Sequence, residues 1–133
     1  MKIRHVFQPD DTGCGIACTA MLTGKTYQEV KQQMISIKVF RFNAQDWGTS
    51  FKDIKLILSK NNIHTMPKRK FRRWCHIPAK IAIVSTSHSK KGDWHWVVFV
   101  RDSIGHYIYD PGKRRKRIRD LRGKRCGHFI EVQ

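Results

Sequence analysis

Residues 8–21 read QPDDTGCGIACTAM, a stretch that sets one Cys between two glycines at the threshold of an apolar helical run. Gly13 and Gly15 allow a tight turn into that helix and leave room for substrate beside the sulfur. A thiol at a helix N-terminus is favoured as thiolate, because orphan N–H groups and the helix dipole stabilise negative charge there. Cys14 is therefore a candidate nucleophile, and the chain around it a candidate scaffold for one.

Working outward, the apolar run GIACTAML (15–22) is a short helix with Gly24 as its stop. Thr26 followed by Glu29 predicts a capping box for a second helix near 27–35. Val30 and Met34 fall on its inner face. Residues 36–48 read as loop, with a turn near Trp47-Gly48. Ser50 and Asp53 suggest the cap of a third helix, in which Phe51, Ile54, Ile57 and Leu58 recur at helical spacing and which Asn61-Asn62 closes. The character then changes. AKIAIVST (79–86), WHWVVFV (94–100), HYIYD (106–110) and GHFIEV (127–132) read as strands. Helices first and a mainly antiparallel sheet afterwards make an α+β domain.

The 133 residues suffice for one domain with a real core, so a single unit over 1–133 is expected. No apolar run is long enough for a membrane span, and MKIRHVFQPDD lacks the apolar core of a secretory signal. The expected setting is the cytoplasm, or delivery as part of a larger secreted protein. Of the four cysteines, Cys14 and Cys18 have the wrong spacing for a C-x-x-C redox motif or a zinc knuckle. Cys18 and Cys126 read as small buried hydrophobes. His76 beside Cys75 is adjacent rather than properly spaced, and His88 and His106 flank strands as structural or surface residues. Neither a metal site nor a cofactor is expected.

The net charge is +17, carried by 27 basic residues, and such a field draws in anionic partners. Two blocks concentrate it: KRKFRR (68–73) and KRRKRIRDLRGKR (113–125), the second with nine basic residues and one acid. Both fall outside the predicted strands, as surface loops or edge segments. They offer contact to nucleic acid through Lys68–Arg73 and Lys113–Arg125, or to an acidic polypeptide.

Three further residues complete a catalytic set. His95 opens an apolar strand and can take the proton of Cys14, then return it to a leaving group. Strand alternation turns Trp94 and Trp96 away from it. Asp110 ends the next strand in YIYDPG, where Pro111-Gly112 turns the chain, and an Asp there can hold the imidazole and stabilise its charged form. Gln8 carries an amide able to donate to an oxyanion beside the Cys14 N–H. Trp47 suits either a substrate groove or the core.

QPDDTGCGIACTAM, HWVVF and YIYDPG together resemble the C39 peptidases, papain-like cysteine peptidases best known for clipping double-glycine leader peptides during peptide export. The resemblance covers most of the chain. It implies a papain-like fold, Cys14 as nucleophile, His95 as base, Asp110 as its orienting partner and Gln8 as oxyanion donor. The chain departs from the family in three ways. The membrane and ATPase domains of transporter-linked members are absent, Asp11-Thr12-Gly13 replaces a more compact approach to the Cys, and the basic block after Asp110 is far heavier.

Three functions stay open on these residues. The first is thiol-dependent peptide hydrolysis, on a peptide or protein substrate whose acidic flanks would suit the basic surface. The second is a nuclease or nucleic-acid-targeting toxin domain on the same scaffold, which would call for an immunity protein. The third is a non-catalytic binding protein for an anionic partner.

Overall fold

The structure is a computed structural model that describes residues 2–40, 46–87 and 94–133. Two of its three helices start by the same device. Thr26 accepts from the Glu29 N–H while the Glu29 side chain accepts from the Thr26 N–H, opening α2 (Tyr27–Ser36). Ser50 and Asp53 do the same for α3 (Phe51–Lys60), so both capping boxes satisfy donors the helix leaves orphaned. Val30 and Met34 of α2 and Ile54, Ile57 and Leu58 of α3 are fully buried, each burial contributing about 1.5–3 kcal/mol.

The first helix, α1 (Cys14–Thr23), is apolar on every side and buried from Cys14 to Leu22. A helix of that kind must be covered all round. Cys18, Met21 and Leu22 meet the sheet through Ile83, Trp96, Val98 and Ile130. Ile16, Ala17 and Ala20 meet Tyr27, Val30 and Met34 of α2 and Ile57 of α3. Its one buried hydroxyl, on Thr19, bonds the Gly15 carbonyl at 2.9 Å. Gly24 ends the helix in the left-handed region, at φ 74°, which glycine adopts without strain.

Five antiparallel strands form the sheet: β1 (Arg69–Lys70), β2 (Ile81–Thr86), β3 (His95–Arg101), β4 (His106–Tyr109) and β5 (Cys126–Glu131). Their order across the sheet is β1-β5-β2-β3-β4, so the last strand in sequence sits next to the centre. Ile81 pairs with Val100 and Thr86 with His95; Val98 pairs with Tyr109. The helices pack on one face of this sheet, which makes an α+β, papain-like architecture.

Among the described residues the other face carries no α-helix. It is covered by two irregular segments, whose Phe71, Trp74 and Ile77, and Ile118 and Leu121, pack on Val84, Val97, Phe99 and Phe129. Trp74 Nε1 donates to the Lys124 carbonyl at 3.1 Å and joins the two segments. The basic blocks are thus more than surface loops. Their apolar residues close the second half of the core, and the first block also contributes the exposed edge strand β1.

The sequence-predicted loop at 36–48 falls partly outside the described residues. No described helix is long and apolar enough to cross a membrane.

Candidate active site

Cys14 is the first residue of α1, and its N-cap, Gly13, brings no side-chain acceptor to the first-turn N–H groups. The residue is 8% exposed and opens on a cleft of about 450 Å³ lined by Asp11, Thr12, Asp46, Thr49, Trp94 and His95. The flanking glycines serve a different end from the expected room for substrate. A Cβ on Gly13 would stand 2.0 Å from the Tyr27 hydroxyl oxygen, and one on Gly15 would stand 2.0 Å from Thr49 Oγ1 and 3.2 Å from Trp96 Cδ1. The space beside the thiol is taken by those side chains, which hold the Cys14 turn in place.

A polar cluster anchors the loop before Cys14. Tyr27 donates its hydroxyl to Asp10 Oδ2 at 2.6 Å, Lys31 Nζ donates to the same oxygen at 3.0 Å, and the Gly13 N–H donates to the Asp10 carbonyl at 3.0 Å. The Tyr27 hydrogen bond, with Lys31 beside it, keeps the Asp10 carboxyl below its ordinary range. Trp47 donates its N–H to Thr12 Oγ1 at 2.7 Å and lies under the Lys31 ammonium, 3.9 Å from ring centroid to Nζ. It packs beside α2 and does not line the cleft.

His95 begins β3, and antiparallel pairing with β4 sets it near the end of that strand, where Asp110 follows. His95 Nε2 donates to Asp110 Oδ1 at 2.6 Å. The same oxygen accepts the Gly112 N–H at 2.8 Å, and Lys124 Nζ donates to Oδ2 at 3.4 Å. His5 Nε2 donates to the Asp110 carbonyl at 2.9 Å. Asp110 is therefore buried, at 3% exposure, with both carboxylate oxygens partnered. Cys14 and His95 line the same cleft, and the thiol beside the ring helps to raise the His95 pKa; with Nε2 committed to Asp110, Nδ1 is the nitrogen left to face it.

The electrostatics follow from this line of contacts. Burial works to lower the His95 pKa, but the hydrogen bonds to Asp110 and Cys14 and their charges outweigh it, raising it from 6.5 to about 9. Burial pushes Asp110 the other way, yet the His95 hydrogen bond and charge, the Gly112 N–H and Lys124 bring it down to about 2. The Asp110 carboxylate thus favours the protonated ring, which makes His95 a strong acceptor for a proton from a neighbouring group.

Gln8 sits in the loop ahead of Cys14. Its Nε2 donates to the carbonyls of Asp10 and Asp11, each at 2.9 Å, and Oε1 is buried without a partner among the described residues. The Gln8 backbone N–H donates to the Pro111 carbonyl at 2.9 Å. Gln8 thus ties the Cys14 loop to the Asp110 turn, and it is not among the residues lining the cleft.

The remaining candidates divide. Cys18 is fully buried and its thiol pKa is raised, first by that burial. Cys126 is only half-buried, because it begins β5, and Cys75 is exposed. His106 stacks on Phe99 at 5.6 Å; His88 lies outside the described residues. Trp96 packs against α1 in the core and also edges the cleft. The cleft residues Thr12, Asp46 and Thr49, and Lys124 beside Asp110, carried no signal in the sequence, since only the tertiary fold brings them to the site. Residues 2–122 match the family model described as the Peptidase C39 family. No curated protein matches the chain.

Proposed function

Because the chain belongs to the Peptidase C39 family, we propose that it is a cysteine peptidase in which Cys14, His95 and Asp110 act as one catalytic unit. The observation that carries this reading is the 2.6 Å bond from His95 Nε2 to Asp110 Oδ1, on a ring that also meets the thiol at the mouth of the cleft.

The chemistry follows from the proton positions. Cys14 Sγ passes its proton to His95 Nδ1, and the thiolate attacks the substrate carbonyl carbon. The carbonyl oxygen becomes an oxyanion facing the Cys14 N–H at the start of α1, a donor that the helix leaves unused. On collapse, the His95 imidazolium protonates the departing amine, and a thioester to Cys14 remains. Water then gives a proton to His95 and attacks the thioester, releasing the acid and restoring the thiol. Asp110 keeps Nε2–H pointed away from the sulfur and stabilises the charged ring throughout. Gln8 joins as a second oxyanion donor when one of its amide hydrogens exchanges a loop carbonyl for the substrate oxygen.

The test is site-resolved alkylation of the wild-type chain and the Cys14→Ala variant, read by peptide mapping because exposed Cys75 also reacts. Cys14 is expected to label faster than Cys75 at neutral pH, and hydrolysis of a peptide library to vanish in Cys14→Ala. Undiminished hydrolysis by that variant would overturn the proposal.

A further inference from the structure

The charge is distributed with a bias that the catalytic reading leaves unused. Residues 68–80 and 113–125 together hold fifteen Lys and Arg and one acid, so they carry fourteen of the seventeen net charges. Part of this charge converges on a concavity separate from the cleft. Arg4 and His5 of the N-terminal segment, Tyr109 of β4, and Arg114, Lys116 and Arg117 line a hollow of about 470 Å³. Ile3 completes the lining, so five of its seven side chains are basic or imidazole.

These cations are not spent inside the protein. The ion pairs among the described residues engage Lys31, His95, Arg119, Arg122 and Lys124, and none of them involves Arg4, Arg114, Lys116 or Arg117. Aromatic faces hold two of the guanidinium groups: Arg117 lies 4.9 Å from the Tyr107 centroid and Arg114 lies 4.5 Å from that of Phe7. Arg117 also bonds the Tyr109 hydroxyl, a neutral partner that leaves its charge and its other N–H donors for carboxylate or phosphate oxygens. The hollow also adjoins the candidate catalytic residues. His5 reaches from it to the Asp110 carbonyl, and Tyr109 is the residue before Asp110.

The cleft at Cys14 carries the opposite sign, with Asp11 and Asp46 in its wall. A ligand that spans both must change charge along its length. A polypeptide can do so, whereas a nucleic acid, negative at every phosphate, would meet Asp11 and Asp46 at the thiol.

We infer that the hollow is a docking subsite for an acidic stretch of the polypeptide substrate, beside a scissile region that is not itself acidic. The inference rests on the peptidase reading. Its test does not require turnover, so the two can fail separately. The Cys14→Ala chain is titrated against a fluorescent oligo-glutamate peptide, alone and with Arg114→Glu/Lys116→Glu. A Lys25→Glu/Lys60→Glu variant makes the same charge change at exposed positions outside the hollow, in the α1–α2 link and at the end of α3. Reversal in the hollow is expected to weaken binding about tenfold or more, and the control reversal to change it by less than about threefold. A single-stranded RNA of equal charge should not displace the peptide at equimolar concentration. Equal losses from the two double variants, or preferential binding of the RNA, would overturn the inference. A chain that binds as expected but hydrolyses nothing would overturn the peptidase reading alone.

Discussion

Replacing Asp110 with Asn isolates the charge that holds His95. The amide keeps an oxygen where Oδ1 accepts from His95 Nε2 and the Gly112 N–H. It loses the negative charge and turns an NH2 group toward Lys124 Nζ, which now donates to Oδ2. His95 stands at about 9 against an ordinary 6.5, a preference for the imidazolium worth roughly 3 kcal/mol at 1.36 kcal/mol per pKa unit. Asp110 and Cys14 share that figure, so a Cys14→Ala background is needed to see the Asp110 part. NMR titration of the His95 ring in Cys14→Ala, with and without Asp110→Asn, should show the pKa fall by about 1 unit or more. Because the folded pKa of His95 is raised, its contribution to stability is complete below about 6.5 and disappears as pH rises through about 9. Asp110 is depressed, so its contribution is present above about 3.8 and disappears as pH falls toward about 2. In the catalytic chain Asp110→Asn should move the basic limb of the kcat/KM profile to lower pH, with a loss at neutral pH of up to about a hundredfold. An unchanged His95 pKa in the double variant would refute the coupling from which this sequence of effects is drawn.

Two further substitutions probe the thiol turn. Gly15→Ala places its methyl against Thr49 Oγ1 and Trp96 Cδ1, an overpacking expected to cost about 1–3 kcal/mol and measurable as a lower midpoint in urea; an unchanged midpoint would show that Thr49 simply steps aside. Gln8→Ala removes both loop hydrogen bonds and the proposed second oxyanion donor. Hydrolysis should fall about a hundredfold or more in kcat with KM little changed, and a rise confined to KM would assign Gln8 a loop-holding role only.

The helices were legible because their signals are local. Thr26 with Glu29, and Ser50 with Asp53, lie three residues apart and form capping boxes, while Val30, Met34, Ile54 and Leu58 repeat with the helix. The strands around His95 and His106 were legible through β-branched and aromatic runs. Strand order was not, because the pairing of β5 with both β1 and β2 depends on contacts far apart in sequence. The apolar covering of the second face was hidden too. Phe71, Trp74, Ile118 and Leu121 follow no period and sit among arginines, so their segments read as charge. At the site, the glycines beside Cys14 were the right residues to single out, but what requires them is Tyr27 and Thr49, both distant in the chain.

The position of β5 also bears on when the site can exist. Cys14 is made before the sheet, but His95, which shares its cleft, is aligned by β3, which pairs with β2, which in turn leans on β5. A growing chain that ends before Cys126 has a sheet with β1 unpaired and one flank of β2 open. Formation of the long-range β pairs then waits until β5 has been made. Until then the thiol has no histidine aligned by a completed sheet, so the pairing of Cys14 with His95 belongs to the folded domain and not to its early segments.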